Sequence, residues 1–89
     1  MQKFVVHFSG HVQGVGFRMT TRQIARNFDV TGSVKNLDDG RVRLVAEGAE
    51  SELKDFVGRI QERMGGHIRD TQIDITPATG QFDDFSIDY

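Results

Sequence analysis

The spacing of the apolar residues changes near position 17, and this change limits the folds that the chain can adopt. Residues 3–9 alternate apolar and polar, the period of a strand with one face toward a core. Residues 17–28 instead place apolar side chains at helical spacing. The apolar positions are Phe4, Val6 and Phe8 in the first segment and Phe17, Ile24, Ala25 and Phe28 in the second. A sheet with a helix packed on it is therefore expected.

The middle of the chain predicts a hairpin followed by a second helix. Residues 30–37 and 41–48 are β-rich and flank Asp39-Gly40, a dipeptide typical of two-residue hairpin turns because both positions tolerate positive φ. Gly65-Gly66 predicts a left-handed end to the helix that follows. The helix is indicated by a single apolar stripe, formed by Leu53, Phe56, Val57, Ile60 and Met64. Both elements suit a small layered domain.

Two further strands are expected near the C-terminus. Residues 68–75 are β-rich, and Phe85, Ile87 and Tyr89 follow one another at period two, so the final residues are expected to be packed. The element order is βαββαβ with a short extra C-terminal strand. This order predicts an α+β fold, the ferredoxin-like βαββαβ sandwich, with an antiparallel sheet and two helices on one face. At 89 residues the chain is expected to form a single domain over 1–89.

Composition narrows the possible functions. Thirteen acidic residues exceed eleven basic ones, for a net charge of −2, whereas domains that bind nucleic acid are more often basic. The chain has no cysteine, so disulfides and Cys-ligated zinc are excluded. No apolar segment approaches membrane-spanning length. We therefore expect a cytoplasmic protein with no nucleic-acid or membrane partner. We also expect it to be a monomer.

The segment GHVQGVGFR, residues 10–18, joins the first strand to the first helix. Glycines let successive N–H groups turn inward around an anion, and a helix N-terminus adds partial positive charge there. Arg18 in the first helical turn can add a bidentate contact to a phosphate. The alternative is an ordinary glycine-rich connection with a surface arginine. No GKS or GKT follows, so the segment is not a nucleotide P-loop.

The same segment resembles the signature of the acylphosphatase family, and the similarity extends over the whole chain. It continues through GSVKN at 32–36, the DG turn at 39–40 and the final FSIDY. The resemblance implies a ferredoxin-like fold. It also implies hydrolysis of the carboxyl-phosphate bond of small acyl phosphates without a metal or cofactor.

The resemblance also implies roles for individual residues. Arg18 matches the arginine that grips the substrate phosphate, and Asn36 matches the asparagine that orients the attacking water. The backbone cradle for the phosphate matches Gly10, His11, Val12, Gln13, Gly14, Val15 and Gly16. Because the leaving carboxylate has a conjugate acid of pKa about 4 to 5, no general acid is needed, and positioning with charge stabilisation can suffice.

The chain departs from the family pattern in three places. Asp29 stands where many members have a glycine, Ser33 where they have a bulky aromatic residue, and Gly65-Gly66-His67 where glycine-proline is frequent. Asp29 could still adopt a left-handed cap at greater cost than glycine. These changes concern packing and pocket shape more than the proposed catalytic residues.

The sequence is also compatible with other functions. His7, His11 and His67 lack the spacing and acidic partners of a metal site, so no metal is expected. An RNA-binding module of the same topology would need aromatic residues on the third strand, and RVRLVAEG has none. A closer alternative keeps the fold but not the role of an independent enzyme: the signature also occurs in the N-terminal domain of the hydrogenase-maturation carbamoyltransferase, where it handles carbamoyl phosphate. A regulatory domain that binds an anion without turnover is the remaining alternative.

Overall fold

Five strands and two helices account for most of residues 1–89, all of which are described by a computed structural model. In chain order they are β1 (Gln2–Gly10), α1 (Phe17–Ala25), β2 (Val30–Asn36), β3 (Val42–Gly48), α2 (Glu50–Met64), β4 (Ile68–Pro77) and β5 (Phe85–Asp88). The order confirms the α+β, ferredoxin-like architecture with an extra C-terminal strand. Neither helix is long and apolar enough to cross a membrane.

The strands form one sheet in the order β4-β1-β3-β2-β5. Every neighbouring pair is antiparallel except β2 and β5, which are parallel. The sheet is therefore mixed and not antiparallel throughout. The reason is the connection from β4 to β5: residues 78–84 carry the chain from one edge of the sheet to the other, and the chain enters β5 in the direction of β2.

Both helices pack on one face of this sheet, as predicted. The inward side of each central strand and the apolar stripe of α2 join in one buried cluster. Phe56 of α2 lies within it and contacts the rings of Phe28 and Phe85, with centroids 5.8 and 5.5 Å away. The fully buried large side chains include Phe4, Val6, Phe8, Val34, Val42, Leu44, Leu53 and Ile60.

The helix ends differ from the predictions. Helix α1 ends at Ala25, and the main-chain N–H groups of Asn27 and Phe28 donate to carbonyls three residues back, which tightens the last turn. Gly65 has φ −56°, so the predicted left-handed end of α2 is wrong. The chain leaves α2 by the same tightening, because the N–H of His67 donates to the Met64 carbonyl.

The β2–β3 hairpin turn is longer than predicted. The N–H of Leu37 donates to the Arg41 carbonyl at 2.8 Å, and the N–H of Gly40 donates to the Leu37 carbonyl at 3.1 Å. This pattern is a three-residue loop in which only the last residue needs positive φ. Gly40 has φ 95°, and no residue other than glycine has positive φ. The left-handed conformations considered for Asp39 and Asp29 are therefore both wrong.

The final residues are packed only in part. Phe85 and Ile87 lie against the core, but Tyr89 is 86% exposed. Strand β5 ends at Asp88, so Tyr89 has no sheet neighbour to cover it. Ile73 and Ile75 are also exposed because β4 is an edge strand.

Glu47 fastens the connection between β4 and β5. Its buried carboxylate accepts hydrogen bonds from the N–H and Oγ1 of Thr79 at 3.0 and 2.7 Å and from the N–H of Gly80 at 2.9 Å. Burial alone would raise the pKa of the Glu47 carboxyl. The three hydrogen bonds, aided by Lys3, outweigh burial and hold that pKa below its usual value.

Glu47→Gln is expected to lower the free energy of unfolding by about 1 to 3 kcal/mol at pH 7, since an amide cannot accept all three bonds. A carboxyl with a lowered folded-state pKa stabilises the fold above its ordinary pKa, and the stabilisation is lost as pH falls through the folded value. The difference between wild type and variant in urea unfolding should therefore shrink from pH 7 to pH 3. A constant difference would show that the charge of Glu47 contributes nothing.

Candidate active site

The start of α1 is held over one end of the sheet by two phenylalanines. Phe17, the first residue of the helix, packs on Phe8 of β1 with ring centroids 5.0 Å apart. Phe8 pairs with Val42, and Val42 pairs with Asn36, so these three residues form a row on the helix-facing side of the sheet. Arg18 and the last residue of β2 are thereby brought to the same end of the fold.

The segment before α1 offers main-chain donors that the protein does not use. None of the N–H groups of residues 12–19 donates to a backbone carbonyl. Gly14 and Gly16 have φ 78° and 75°, the left-handed values that turn successive N–H groups to one side. Gly16 is the N-cap of α1, with no side-chain cap and no acidic residue in the first turn. We call residues 12–19 the amide loop; its free donors and helix terminus are suited to an anion.

The chain enters the amide loop through a close contact with the α2–β4 turn. The N–H of His11 donates to the His67 carbonyl at 2.9 Å. A Cβ on Gly10, whose φ is 125°, would lie 2.5 Å from that carbonyl oxygen. Gly10 and His11 therefore anchor the loop. The N–H of His11, which was expected to face the phosphate, is used within the protein, and the free N–H groups begin at Val12.

Gly10→Ala should destabilise the fold by about 2 to 4 kcal/mol, combining left-handed strain with overlap against backbone. Gly14→Ala is the matched variant, because its Cβ would meet no atom within 4 Å and only strain of about 1 to 2 kcal/mol remains. Urea unfolding of the two proteins measures the difference. Equal destabilisation would mean that the approach to His67 is not a real constraint.

Arg18 faces a cavity of about 200 Å³ at the mouth of the amide loop. Its side chain is half-buried and takes part in none of the ion pairs of the chain. The guanidinium lies 4.9 Å from the centroid of the Tyr89 ring, a cation–π contact that leaves its N–H donors free. The cavity is lined by Val12, Gly14, Gly16, Phe17, Arg18, Met19, Asn36, Ile87 and Tyr89.

Asn36 lines the same cavity from the sheet. Its Oδ1 is buried and accepts no hydrogen bond from the protein. Leaving a buried amide oxygen unpaired costs about 1 to 3 kcal/mol, so the unpaired Oδ1 calls for an explanation. The Oγ1 of Thr21 in α1 is the other buried side-chain oxygen without a partner. An amide at position 36 can accept from a water while its NH₂ group donates to a second oxygen.

The three histidines do not converge. His7 lies on the opposite face of the sheet, where burial, together with Arg41 and Arg43, lowers its pKa. The rings of His11 and His67 are 6.0 Å apart on the far side of the loop entrance. No group of three or more His, Asp or Glu side chains is arranged to hold a metal ion.

Sequence reasoning missed two features of this region. Tyr89 contributes the aromatic wall beside Arg18, although its period-two spacing had indicated only packing. The side chain of Gln13 points away from the cavity and donates to the β2–β3 hairpin. Neither contact has a local sequence pattern, because both join segments far apart in the chain.

The sequence of the chain is similar to those of known acylphosphatases over its whole length. The sequence profile of the acylphosphatase family matches residues 4–87. The chain is 40% identical to an acylphosphatase from Lactobacillus johnsonii and 37% identical to one from Lactobacillus gasseri, and each alignment covers the whole of both chains.

Solved structures show the same relationship. An acylphosphatase from Bacillus subtilis matches with a TM-score of 0.89 and 33% identity over the whole of both chains. Full-length HypF in a phosphate- and nucleotide-bound form matches with a TM-score of 0.84 and 26% identity, over 99% of this chain but 12% of HypF. A bacterial light-regulated adenylyl cyclase, at 13% identity and a TM-score of 0.70, shares the fold alone.

Proposed function

The chain belongs to the acylphosphatase family, whose members are acyl phosphate hydrolases, and from that premise we propose how its own residues divide the reaction. The amide loop and Arg18 bind the phosphoryl group of a small acyl phosphate, and Asn36 places the attacking water. The observation that carries this proposal is the unused hydrogen-bonding capacity around one cavity: free N–H groups along residues 12–19, an unpaired guanidinium and an unpartnered Asn36 Oδ1.

Charge stabilisation is the main task of the amide loop and Arg18. Phosphoryl transfer spreads negative charge over three equatorial oxygens, and preorganised donors aimed at them lower the barrier in the manner of an oxyanion hole. Arg18 projects from the first turn of a helix fixed by Phe17, so its position is set before substrate arrives. A planar guanidinium can contact two phosphoryl oxygens at once.

Asn36 contributes position and not basicity. Its side-chain amide holds the water, whose oxygen attacks phosphorus in line with the bond to the acyl oxygen. That phosphorus–oxygen bond breaks, the acyl group leaves as a carboxylate, and the proton of the water passes to a phosphoryl oxygen. The products are a carboxylate and inorganic phosphate, and no general acid is required because the leaving carboxylate is a weak base.

We also propose that the reaction needs no metal and that the chain acts as a cytoplasmic monomer and a single domain over 1–89. One chain supplies every residue of the proposed site. The cavity wall beyond Arg18 is formed by Met19, Ile87 and Tyr89, so the acyl group meets an apolar surface while the phosphate meets the donors. Gel filtration and cell fractionation test the oligomeric state and the compartment.

Hydrolysis of benzoyl phosphate, followed by its ultraviolet absorbance, tests the proposed function. We expect turnover that survives a chelator and is inhibited competitively by inorganic phosphate. Turnover abolished by the chelator would overturn metal independence. A folded protein that binds phosphate but hydrolyses no acyl phosphate would identify an anion-binding domain instead.

A further inference from the structure

Gln13 is the one residue of the amide loop whose side chain makes hydrogen bonds to a distant part of the chain. Its Nε2 donates to the Leu37 carbonyl at 2.7 Å and to the Arg41 carbonyl at 3.0 Å. Both N–H bonds of the side-chain amide are thereby used. The side chain is half-buried and does not line the cavity, so it is unsuited to contact substrate.

The two acceptor carbonyls belong to a turn that is held by hydrogen bonds of its own. Besides the main-chain bonds that join Leu37, Gly40 and Arg41, the Asp39 carboxylate accepts from the N–H of Arg41 at 3.1 Å and from its Nε at 2.9 Å. The Leu37 and Arg41 carbonyls each accept one main-chain bond and one bond from Gln13. Leu37 directly follows Asn36, so a displacement of the turn moves Asn36 as well.

The amide loop has little else to fix it relative to Asn36. Its N–H groups make no backbone hydrogen bonds, and the loop packs on the core through the side chains of Val12, Val15 and Phe17. The Gln13 side chain is the hydrogen-bonded link between the loop that would hold the phosphoryl group and the hairpin that carries Asn36. A misplacement of about 1 Å between reacting groups can cost 10²-fold in rate.

We propose that Gln13 is a positioning residue that sets the separation between the bound phosphoryl group and the water held by Asn36. The proposal rests on the proposed function. It assigns to the side chain of Gln13 a role separate from that of its backbone N–H, and it predicts a loss of turnover with little loss of phosphate binding.

Gln13→Leu keeps much of the side-chain volume and removes both donors. We expect kcat for benzoyl phosphate to fall roughly 10- to 100-fold while the Kd for inorganic phosphate changes less than about threefold. Gln23→Leu is the matched control, because Gln23 is an exposed glutamine on α1 whose side chain makes no hydrogen bond, and it should behave as wild type. An unchanged kcat in folded Gln13→Leu would overturn the proposal.

Gln13→Glu tests the role of the side-chain donors by a change of pH in a single variant. The ionised carboxylate offers no donor to the two carbonyls, whereas its protonated form offers one. Relative to wild type at each pH, turnover by Gln13→Glu should therefore rise as pH falls from 7 toward 4.5. A variant whose relative activity is flat with pH would contradict the proposal, even if Gln13→Leu proved too unstable to assay.

A phosphate titration by NMR separates this proposal from the proposed function. Inorganic phosphate should shift the main-chain amide resonances of Leu37 and Arg41 in wild type, and these shifts should be lost in Gln13→Leu while those of Gly14 and Gly16 persist. Absence of turnover in wild type would contradict the proposed function, but the amide shifts of Leu37 and Arg41 could still be compared between the two proteins. Equal shifts of the Leu37 and Arg41 amides in both proteins would contradict the proposal that the Gln13 side chain links the amide loop to the hairpin.

Discussion

Arg18→Ala is expected to lower kcat/KM for benzoyl phosphate by about 10³-fold, because removing one preorganised donor costs about 10²- to 10³-fold and Arg18 also carries charge. Binding of inorganic phosphate should weaken by roughly 10²-fold, the effect of losing two charge-assisted hydrogen bonds worth about 1.5 kcal/mol each. Steady-state kinetics and competitive inhibition by phosphate measure the two quantities.

Two further variants show whether the effect belongs to the guanidinium. Arg18→Lys keeps the charge without the planar fork, so phosphate binding should lie between those of wild type and Arg18→Ala. Arg22→Ala removes an arginine one turn further along α1 that lines a different cavity, and it should leave kinetics nearly unchanged. Phosphate affinity that falls equally in Arg22→Ala and Arg18→Ala would indicate a general loss of positive charge.

Asn36→Ala should reduce kcat by about 10²- to 10³-fold and leave the phosphate Kd within about threefold of wild type. The separation follows from position: Asn36 reaches the cavity from the sheet, opposite the amide loop. Stability should not fall, because the buried Oδ1 accepts no hydrogen bond that the substitution could break. Kinetics, phosphate inhibition and urea unfolding on the same preparation measure the three effects.

The control for this variant is Asn27→Ala, which removes an exposed asparagine after α1. It should match wild type in kcat. A parallel loss of phosphate affinity and turnover in Asn36→Ala would show that Asn36 holds the phosphate and not the water. A large loss of stability would show that its side chain has a structural partner.

The elements that sequence patterns predicted best are those fixed by local periodicity. The α2 stripe is buried at every predicted position because a helix shows the same face every three to four residues, whatever its neighbours. A glycine-rich loop over residues 10–16 was predicted for a similar reason: glycines followed by a helix start are a local signature, and the structure places Gly14 and Gly16 in left-handed conformations there.

Features decided by distant contacts could not be predicted. The parallel pairing of β5 with β2 depends on how residues 78–84 cross the end of the sheet, where Glu47 fastens them. The right-handed end at Gly65 reflects continuation of the turn into β4. The Gln13 bonds reach acceptors 24 and 28 positions away, and only the β2–β3 register brings those carbonyls to the loop.

The central claim is that the amide loop and Arg18 form the phosphate site, and an NMR titration with inorganic phosphate tests it most directly. In wild type, the largest main-chain amide shifts should fall within residues 12–19 and saturate as one binding event, and the same titration of Arg18→Ala should saturate at roughly 10²-fold higher phosphate. Shifts centred elsewhere, for example around His11, His67 and Arg69, or equal affinity in wild type and Arg18→Ala, would contradict it.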